Sequence, residues 1–374
     1  MCGVRRVLLI SYWLESGGSE RQLTEIALGL DRSRYEPHVG TFHAHGILYE
    51  QIRSAGVPIV QFPLRSFLHP SIVTVAAGMH RYLAKHAIDI VHTFDVPSSL
   101  LGVPISAASR APVVISSQRA YRNLTPGIRH HLLRITDRMV DGIVVNARAI
   151  EQALITEDKV PPDRIHLCYN GIRTDVFFPS PDRFSGAGNK PPTIGSLSVL
   201  RPEKSLHTLI EAFARVQPQF PGATLKVIGS GPVLPQLQQL SAQLRLNGLC
   251  CFEPATSQVA QALQSIDIFV LPSISEALSN ALMEAMACGC AVIASNIGGN
   301  LELVSSGENG LIFQAGNAAD LADKLSMVLA RSDLRRKYAQ AAARRIANDF
   351  SLTASVECMQ NIYDLLYERK VITD

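Results

Sequence analysis

The chain is short of several things, and each shortage excludes something. Its 374 residues carry a formal net charge of only +3, so the basic excess of a nucleic-acid-binding protein is missing. No apolar run approaches the length that spans a bilayer. The first, Val7–Leu14, follows Arg5-Arg6 and stops at Glu15, which fits a buried first strand better than a secretion signal. The seven cysteines (Cys2, Cys168, Cys250, Cys251, Cys288, Cys290, Cys358) are an odd set without a Cys-x-x-Cys. That argues against a zinc ribbon or disulfide frame and for reduced, mostly buried thiols in a cytosolic protein. No Asp-x-Asp pair is present to hold a metal, and no long internal period suggests a repeat array. Apolar residues are abundant: 47% hydrophobic content supports large cores, and the length leaves room for two domains.

Strand and helix signals alternate along the chain, which implies parallel sheets covered by helices. In the first half, strands are predicted at Val4–Tyr12, His38–Phe42, Ile59–Phe62, Ile88–Thr93, Val113–Ser116, Ile143–Asn146 and Ile165–Tyr169. Helices are predicted about Gln22–Leu30, Leu48–Ser54 and Ile72–His86, from near Gly127, and from Asn146. The pair Gly17-Gly18 sits between the first strand and its helix, where glycine lets a ligand approach the backbone or simply tightens the turn. Asn170-Gly171 is a turn signal, and Pro179–Pro192, rich in Pro, Gly and Ser, reads as a linker. Beyond it come strands at Thr193–Leu197, Leu225–Ile228, Cys250–Phe252, Ile266–Val270 and Ala291–Ala294, with a helix over Leu206–Val216. Ala318–Asn348 and Phe350–Glu368 read as helical.

One stretch organises the second half: Leu271-Pro-Ser-Ile-Ser-Glu276-Ala-Leu-Ser-Asn280-Ala-Leu-Met-Glu284-Ala-Met-Ala-Cys-Gly289. It reads as loop and helix between two strands, with Ser279 or Asn280 as the cap and Gly289 at the stop. In parallel α/β folds, ligands bind beyond the carboxyl ends of strands, and a helix N-terminus there suits a phosphate. Glu276 and Glu284 bracket that anion site. Acids repel phosphate, so their useful partners are sugar hydroxyls; otherwise they are ordinary helix-start and helix-surface charges.

This stretch resembles the E-x7-E segment of the family 4 glycosyltransferases, which retain anomeric configuration and have two Rossmann-like domains facing a central cleft (the GT-B fold). The resemblance implies an α/β chain divided into 1–178, a linker 179–192, 193–349, and a C-terminal helix over 350–374 that crosses back to the first domain. It puts Glu276 on the donor sugar, Glu284 on the nucleotide's ribose, and the amides of Leu278, Ser279 and Asn280 on the sugar and diphosphate. Ala277 and Ser279 stand where the family usually has Gly and Pro. Arg201-Pro202-Glu203-Lys204-Ser205 is similar to the family's diphosphate-gripping segment, with Lys204 in place. The family arginine falls on Val199, and Arg201 is the substitute. Gly17 and Gly18 are carried over as substrate-binding positions. Asn170, in a turn that resembles the family's hinge, and Gly229, in a turn that passes beside a nucleotide or is an ordinary loop, are further candidates. Arg119 is a further candidate, because Gln118 or Arg119 stands where relatives have a sugar-contacting histidine.

The implied reaction moves a sugar from a nucleotide-diphosphate sugar, UDP- or GDP-linked, to a hydroxyl of a glycan or lipid-linked acceptor. The sugar nucleotide is a co-substrate, and no cofactor or metal is implied. Two rivals are a GT-B sugar-nucleotide epimerase or hydrolase and a silent sugar-nucleotide-binding protein. His92, at a strand end, reads as a histidine satisfied by neighbours as readily as one with a chemical role. The six arginines Arg119, Arg122, Arg129, Arg134, Arg138 and Arg148 read as a solvated face or as a surface for anionic lipid. The expected location is the cytoplasm, at or near the inner face of the membrane.

Overall fold

Contacts divide the chain into one unit of residues 1–171 with 352–374 and a second of residues 172–351. The structure is a computed structural model and describes residues 3–15, 17–125, 127–184 and 191–373. Cys2 and residues 185–190 of the expected linker lie outside the described residues.

The first unit alternates strand and helix and adds to the predicted elements a helix between Thr93 and Val113. It runs β1 (Arg5–Trp13), α1 (Gly18–Gly29), β2 (Tyr35–His43), α2 (Ile47–Ser54), β3 (Ile59–Gln61), α3 (Ser71–Lys85) and β4 (Ile90–Thr93). It continues α4 (Val96–Ala108), β5 (Val113–Gln118), α5 (Ile128–Thr136), β6 (Gly142–Val145), α6 (Arg148–Thr156) and β7 (Ile165–Leu167). The sheet is parallel, in the order β3-β2-β1-β4-β5-β6-β7. Helices cover both faces, so β1 is apolar at successive positions rather than alternating. Val7 and Leu9 enter one core beside Leu23 and Ile26 of α1. Leu8 and Ile10 enter the other beside Val75 and Met79 of α3.

The second unit runs β8 (Thr193–Leu197), α7 (Leu206–Val216), β9 (Thr224–Ile228), α8 (Leu234–Gln243), β10 (Cys250–Glu253), α9 (Val259–Gln264) and β11 (Ile268–Leu271). Then come α10 (Asn280–Ala287), β12 (Ala291–Ser295), α11 (Asn300–Leu303), β13 (Leu311–Phe313), α12 (Ala318–Ala330) and α13 (Ser332–Asp349). Its sheet, also parallel, has the order β10-β9-β8-β11-β12-β13. Both sheets therefore reverse direction at one place, between β1 and β4 and between β8 and β11. Loops leaving the two strands at such a reversal diverge and open a crevice.

The last helix, α14 (Leu352–Thr373), returns to the first unit. Met359, Ile362, Tyr363 and Leu366 join the α1 core. Asp364 takes Arg5, Arg34 and the Tyr35 hydroxyl together. The chain crosses into and out of the second unit side by side: Ile172 bridges Ser351 and donates to the Phe350 carbonyl at 2.9 Å.

Three local expectations are corrected. The α1 helix starts at Gly18 with Gly17 as its N-cap, because the first turn of a helix leaves N–H groups free and tolerates glycine there. The helix placed at Asn146 starts at Arg148 behind Ala147. The arginine run is not wholly a solvated face. Arg122 is buried and grips Asp137 through both guanidinium nitrogens at 2.7 and 2.8 Å, and Arg119 is partly buried.

Candidate active site

In the second unit, the crevice between β8 and β11 is where the predicted residues meet. Lys204 closes the turn after β8, and Glu276 stands in the loop after β11; their side chains form an ion pair. The side chains are 21% and 12% exposed, so water screens the pair only in part. A backbone bond ties the same two loops, Ile274 N–H donating to the Glu203 carbonyl at 2.9 Å. Glu276 also accepts from the Ser273 hydroxyl at 2.9 Å. Behind it, the Ser295 hydroxyl bonds the Ser273 carbonyl at 2.6 Å, and the Asn300 amide bonds the Ser295 carbonyl at 3.2 Å. Gly299 N–H reaches the Ala277 carbonyl at 2.7 Å. The loop bearing Glu276 is thus held from both sides before any ligand arrives.

Ser279 is the N-cap of α10, its hydroxyl accepting from Leu282 N–H at 3.4 Å. Leu278 and Ser279 are buried, and Asn280 is half-buried. The helix start follows Glu276 by four residues in the chain, and its free amides and the Lys204 ammonium are the features here that favour an anion. Glu284, one turn into α10, is 1% exposed and belongs to the helix's inner face rather than its solvated one. Gly289 ends the segment with φ +74°.

Gly229 has φ +147°, and a Cβ there would stand 1.9 Å from the Ser198 carbonyl oxygen. Its immediate reason is thus close backbone approach to the loop after β8, which it shapes. Arg201 is placed differently from Lys204. Its side chain is 61% exposed and lies 3.9 Å from Glu203, not against Glu276.

In the first unit, Gly17 leads into α1, and the Glu20 carboxylate folds back over it. Burial pushes Glu20 above the usual carboxylate range, with Asp95 and Glu15 adding to the rise and the Trp13 indole opposing it. Asp95 caps α4 and accepts from Ser98 N–H, Tyr12 N–H and the Ser11 hydroxyl, each at 2.7 Å. Burial raises its pKa while those donors hold it down. Glu20 and Asp95 were not among the predicted site residues. The signals were an acid in the first turn of α1 and an Asp-x-x-Ser capping box ahead of α4.

Arg119 and Asn170, 51 residues apart, are brought together: Nη1 donates to the Asn170 Oδ1 at 2.7 Å. Arg119 also lies over the Phe94 ring, 5.0 Å from its centroid, and burial lowers its pKa to about 10. The Asn170-Gly171 turn is fixed from α1, where the Gln22 amide makes two 3.1 Å bonds to the Gly171 backbone. The Gln118 side-chain oxygen accepts from Arg122 Nε at 3.1 Å. His92 is satisfied by neighbours. It is buried, its Nδ1 2.8 Å from the Tyr363 hydroxyl and its Nε2 2.8 Å from the Ser117 hydroxyl, and burial holds it well below the usual imidazole range.

Two parallel-sheet α/β units, with an anion-suited crevice at the reversal of one sheet, define a GT-B-type chain. A family model for Glycosyltransferase Family 4 matches residues 16–176, and one for Glycosyl transferases group 1 matches residues 180–345. The chain belongs to this glycosyltransferase family. It is 27% identical to N-acetyl-alpha-D-glucosaminyl L-malate synthase of Bacillus anthracis, over 95% of this chain and 96% of that one. It is 30% identical to alpha-maltose-1-phosphate synthase of Mycolicibacterium smegmatis, over 59% of this chain and 62% of the relative. A GDP-mannose-dependent alpha-(1-6)-phosphatidylinositol monomannoside mannosyltransferase of Mycobacterium tuberculosis is 27% identical over 78% of this chain and 79% of its own. Among solved structures, Anabaena Alr3699/HepE in complex with UDP and glucose superposes with a TM-score of 0.82 at 22% identity, covering 96% of this chain and 99% of that one.

Proposed function

We propose that this glycosyltransferase moves a sugar, with retention, from a nucleotide-diphosphate sugar to a hydroxyl of a glycan or lipid-linked acceptor. The observation that carries the reading is the Lys204–Glu276 pair at the sheet reversal, beside the capped start of α10. The hard step is departure of the diphosphate, on which negative charge accumulates. The Lys204 ammonium and the α10 amides stabilise that charge, with Arg201, 61% exposed, as a further cation. Glu276 exchanges its hold on Lys204 for a hydroxyl of the donor sugar, and Glu284 takes the ribose. The bond from the anomeric carbon to the diphosphate breaks. A bond to the acceptor oxygen forms on the same face, and the acceptor's proton passes to the departing diphosphate.

The relatives support the donor and acceptor classes. HepE was captured with UDP and glucose, and the mannosyltransferase takes GDP-mannose and a phosphatidylinositol glycolipid by its name. Synthesis of a surface polysaccharide or glycolipid, in the cytoplasm near the membrane, is the corresponding role. Among the described residues no helix is long and apolar enough to cross a membrane.

A thermal-shift panel of UDP-, GDP- and ADP-sugars tests the donor, because a ligand that binds the native state raises its melting temperature. The expected result is a rise with one nucleotide-sugar, followed by acceptor-dependent turnover that persists in EDTA. Rapid conversion to epimer or free sugar without acceptor would overturn transfer, and loss of turnover in EDTA would overturn metal independence.

A further inference from the structure

Helix α5 of the first unit has an exposed face that holds none of the residues given a role in the proposed transfer. The helix buries Leu133 and Thr136. Ile128, Leu132 and Ile135 are 74%, 41% and 54% exposed, and Met139, just past the helix end, is 37% exposed. Their spacing of four, three and four residues sets them in one stripe along the helix. A stripe of large apolar side chains facing water is the pattern of a surface that something covers.

The charges on the same segment say what covers it. Arg129, Arg134 and Arg138 are exposed between the apolar positions. The segment's one carboxylate, Asp137, is buried and held by Arg122. Arg134 bonds the buried Asp158 at 2.9 Å, while Arg129 and Arg138 make no ion pair among the described residues. The segment therefore presents apolar and cationic side chains and no exposed acid of its own; the exposed Glu157 beside it gives Arg134 its backbone carbonyl at 3.1 Å. A second copy of the chain is a poor occupant, since a two-fold contact would set arginine against arginine. A bilayer surface carrying anionic headgroups satisfies both properties, taking the apolar stripe into the acyl boundary and the guanidinium groups at the phosphates.

We propose that α5 is an in-plane anchor that docks the first unit on membranes containing anionic phospholipid. The proposal rests on the reading of a lipid-linked acceptor for its purpose, since the anchor would hold the enzyme where such an acceptor lies. Its evidence, the apolar and cationic face, is independent of that reading.

The test is co-sedimentation of the full chain with phosphatidylcholine vesicles, with and without phosphatidylglycerol. Binding is expected only when phosphatidylglycerol is present, and it should fall as salt is added. Arg129→Ala with Arg138→Ala should lower partitioning about thirty-fold. Leu132→Glu with Ile135→Glu should lower it at least about tenfold. All four side chains are exposed, so unchanged melting temperatures are expected and are measured alongside. Equal binding to both vesicle types, or binding untouched by either double variant, would overturn the proposal. So would a dimer in sedimentation equilibrium that the glutamate variant dissociates. Nucleotide-sugar binding measured without vesicles tests the transferase reading separately, so either result can fail alone.

Discussion

Replacing Lys204 by methionine tests the site most directly. The variant keeps most of the side chain's length and removes its charge. Glu276 then retains the Ser273 hydroxyl at 2.9 Å as a partner. Two unit charges about 4 Å apart interact by about 4 kcal/mol at an effective permittivity near 20. Lys204 is 21% exposed, so solvent trims this, and about 2–3 kcal/mol is the expected loss of stabilisation for a charge developing on the diphosphate. At 1.36 kcal/mol per decade, kcat should fall about a hundredfold. The donor KM should move much less. In the resting protein the ammonium already has an anion, Glu276, so donor binding exchanges one partner for another. The developing charge has no such compensation. Removing the ammonium leaves a mostly buried Glu276 with its Ser273 bond, so the stability cost should be about 1–3 kcal/mol. The assay is release of nucleoside diphosphate at saturating donor and acceptor, with thermal melting as the control. A kcat within about threefold of the parent, or a raised KM at unchanged kcat, would refute the reasoning.

Glu284→Gln should weaken nucleotide binding by about tenfold or more, read by calorimetry, because a charge-assisted hydrogen bond to the ribose is lost. Unchanged affinity would remove Glu284 from the site. His92 should make the protein acid-sensitive. Its folded pKa lies well below the usual 6.5, so under mild acid the unfolded chain takes up a proton that the folded one refuses. Stability is then intact above about pH 6.5 and falls by about 1.4 kcal/mol per unit below it. His92→Gln should flatten that part of the curve of urea midpoint against pH, and parallel curves would contradict the assignment. Gly229→Ala should destabilise by about 2–3 kcal/mol, since it adds a Cβ at positive φ against the Ser198 carbonyl. A melting temperature within a degree or so of the parent's would show that this turn is not constrained.

The bounds of the strand Thr193–Leu197 and of the helix Leu206–Val216 match the sequence expectation, the helix because its apolar residues, Leu206, Leu209, Ile210, Phe213 and Val216, recur at helical spacing. The helix α4 was not read at all. Its sequence, VPSSLLGVPISAA, carries two prolines and little polar periodicity because most of its surface is buried. One proline sits in the first turn, where no N–H is needed. The glycine pair at 17 and 18 was read as loop because glycine disfavours helix interiors, a rule that does not reach the first turn. The loop and helix from Ser273 to Glu284 are legible because they form one local pattern, whereas Lys204, 72 residues before Glu276, is tied to it only through the resemblance to the family's diphosphate-gripping segment. The contact of Arg119 with Asn170 was not legible, since each residue was singled out alone and no local pattern joins positions on different strand ends. Nor does sequence separate the buried Arg122 from its solvated neighbours, because burial of a charge depends on a partner 15 residues away.

The two sheets share one strand order, yet their crevices have opposite chemistry, and the difference lies in a few side chains. At the reversal in the second unit, the loops after β8 and β11 bring a lysine and free helix amides together with one neutralising glutamate. On the proposed reading, that set takes the diphosphate once Glu276 turns to a hydroxyl. At the reversal in the first unit, the loops after β1 and β4 bring Glu20 and Asp95 close enough that each is harder to ionise for being buried, and Glu20 also for the neighbouring acid. Such a crevice repels a diphosphate and favours groups that donate hydrogen bonds, such as acceptor hydroxyls. The strand order repeats while the side chains at the strand ends differ in charge, and on the proposed reading the second unit serves the leaving group and the first serves hydroxyl donors. If that division holds, Glu20→Gln should leave donor affinity unchanged while altering acceptor KM. A loss of nucleotide-sugar binding in that variant would show that the acid in the first unit serves the donor instead.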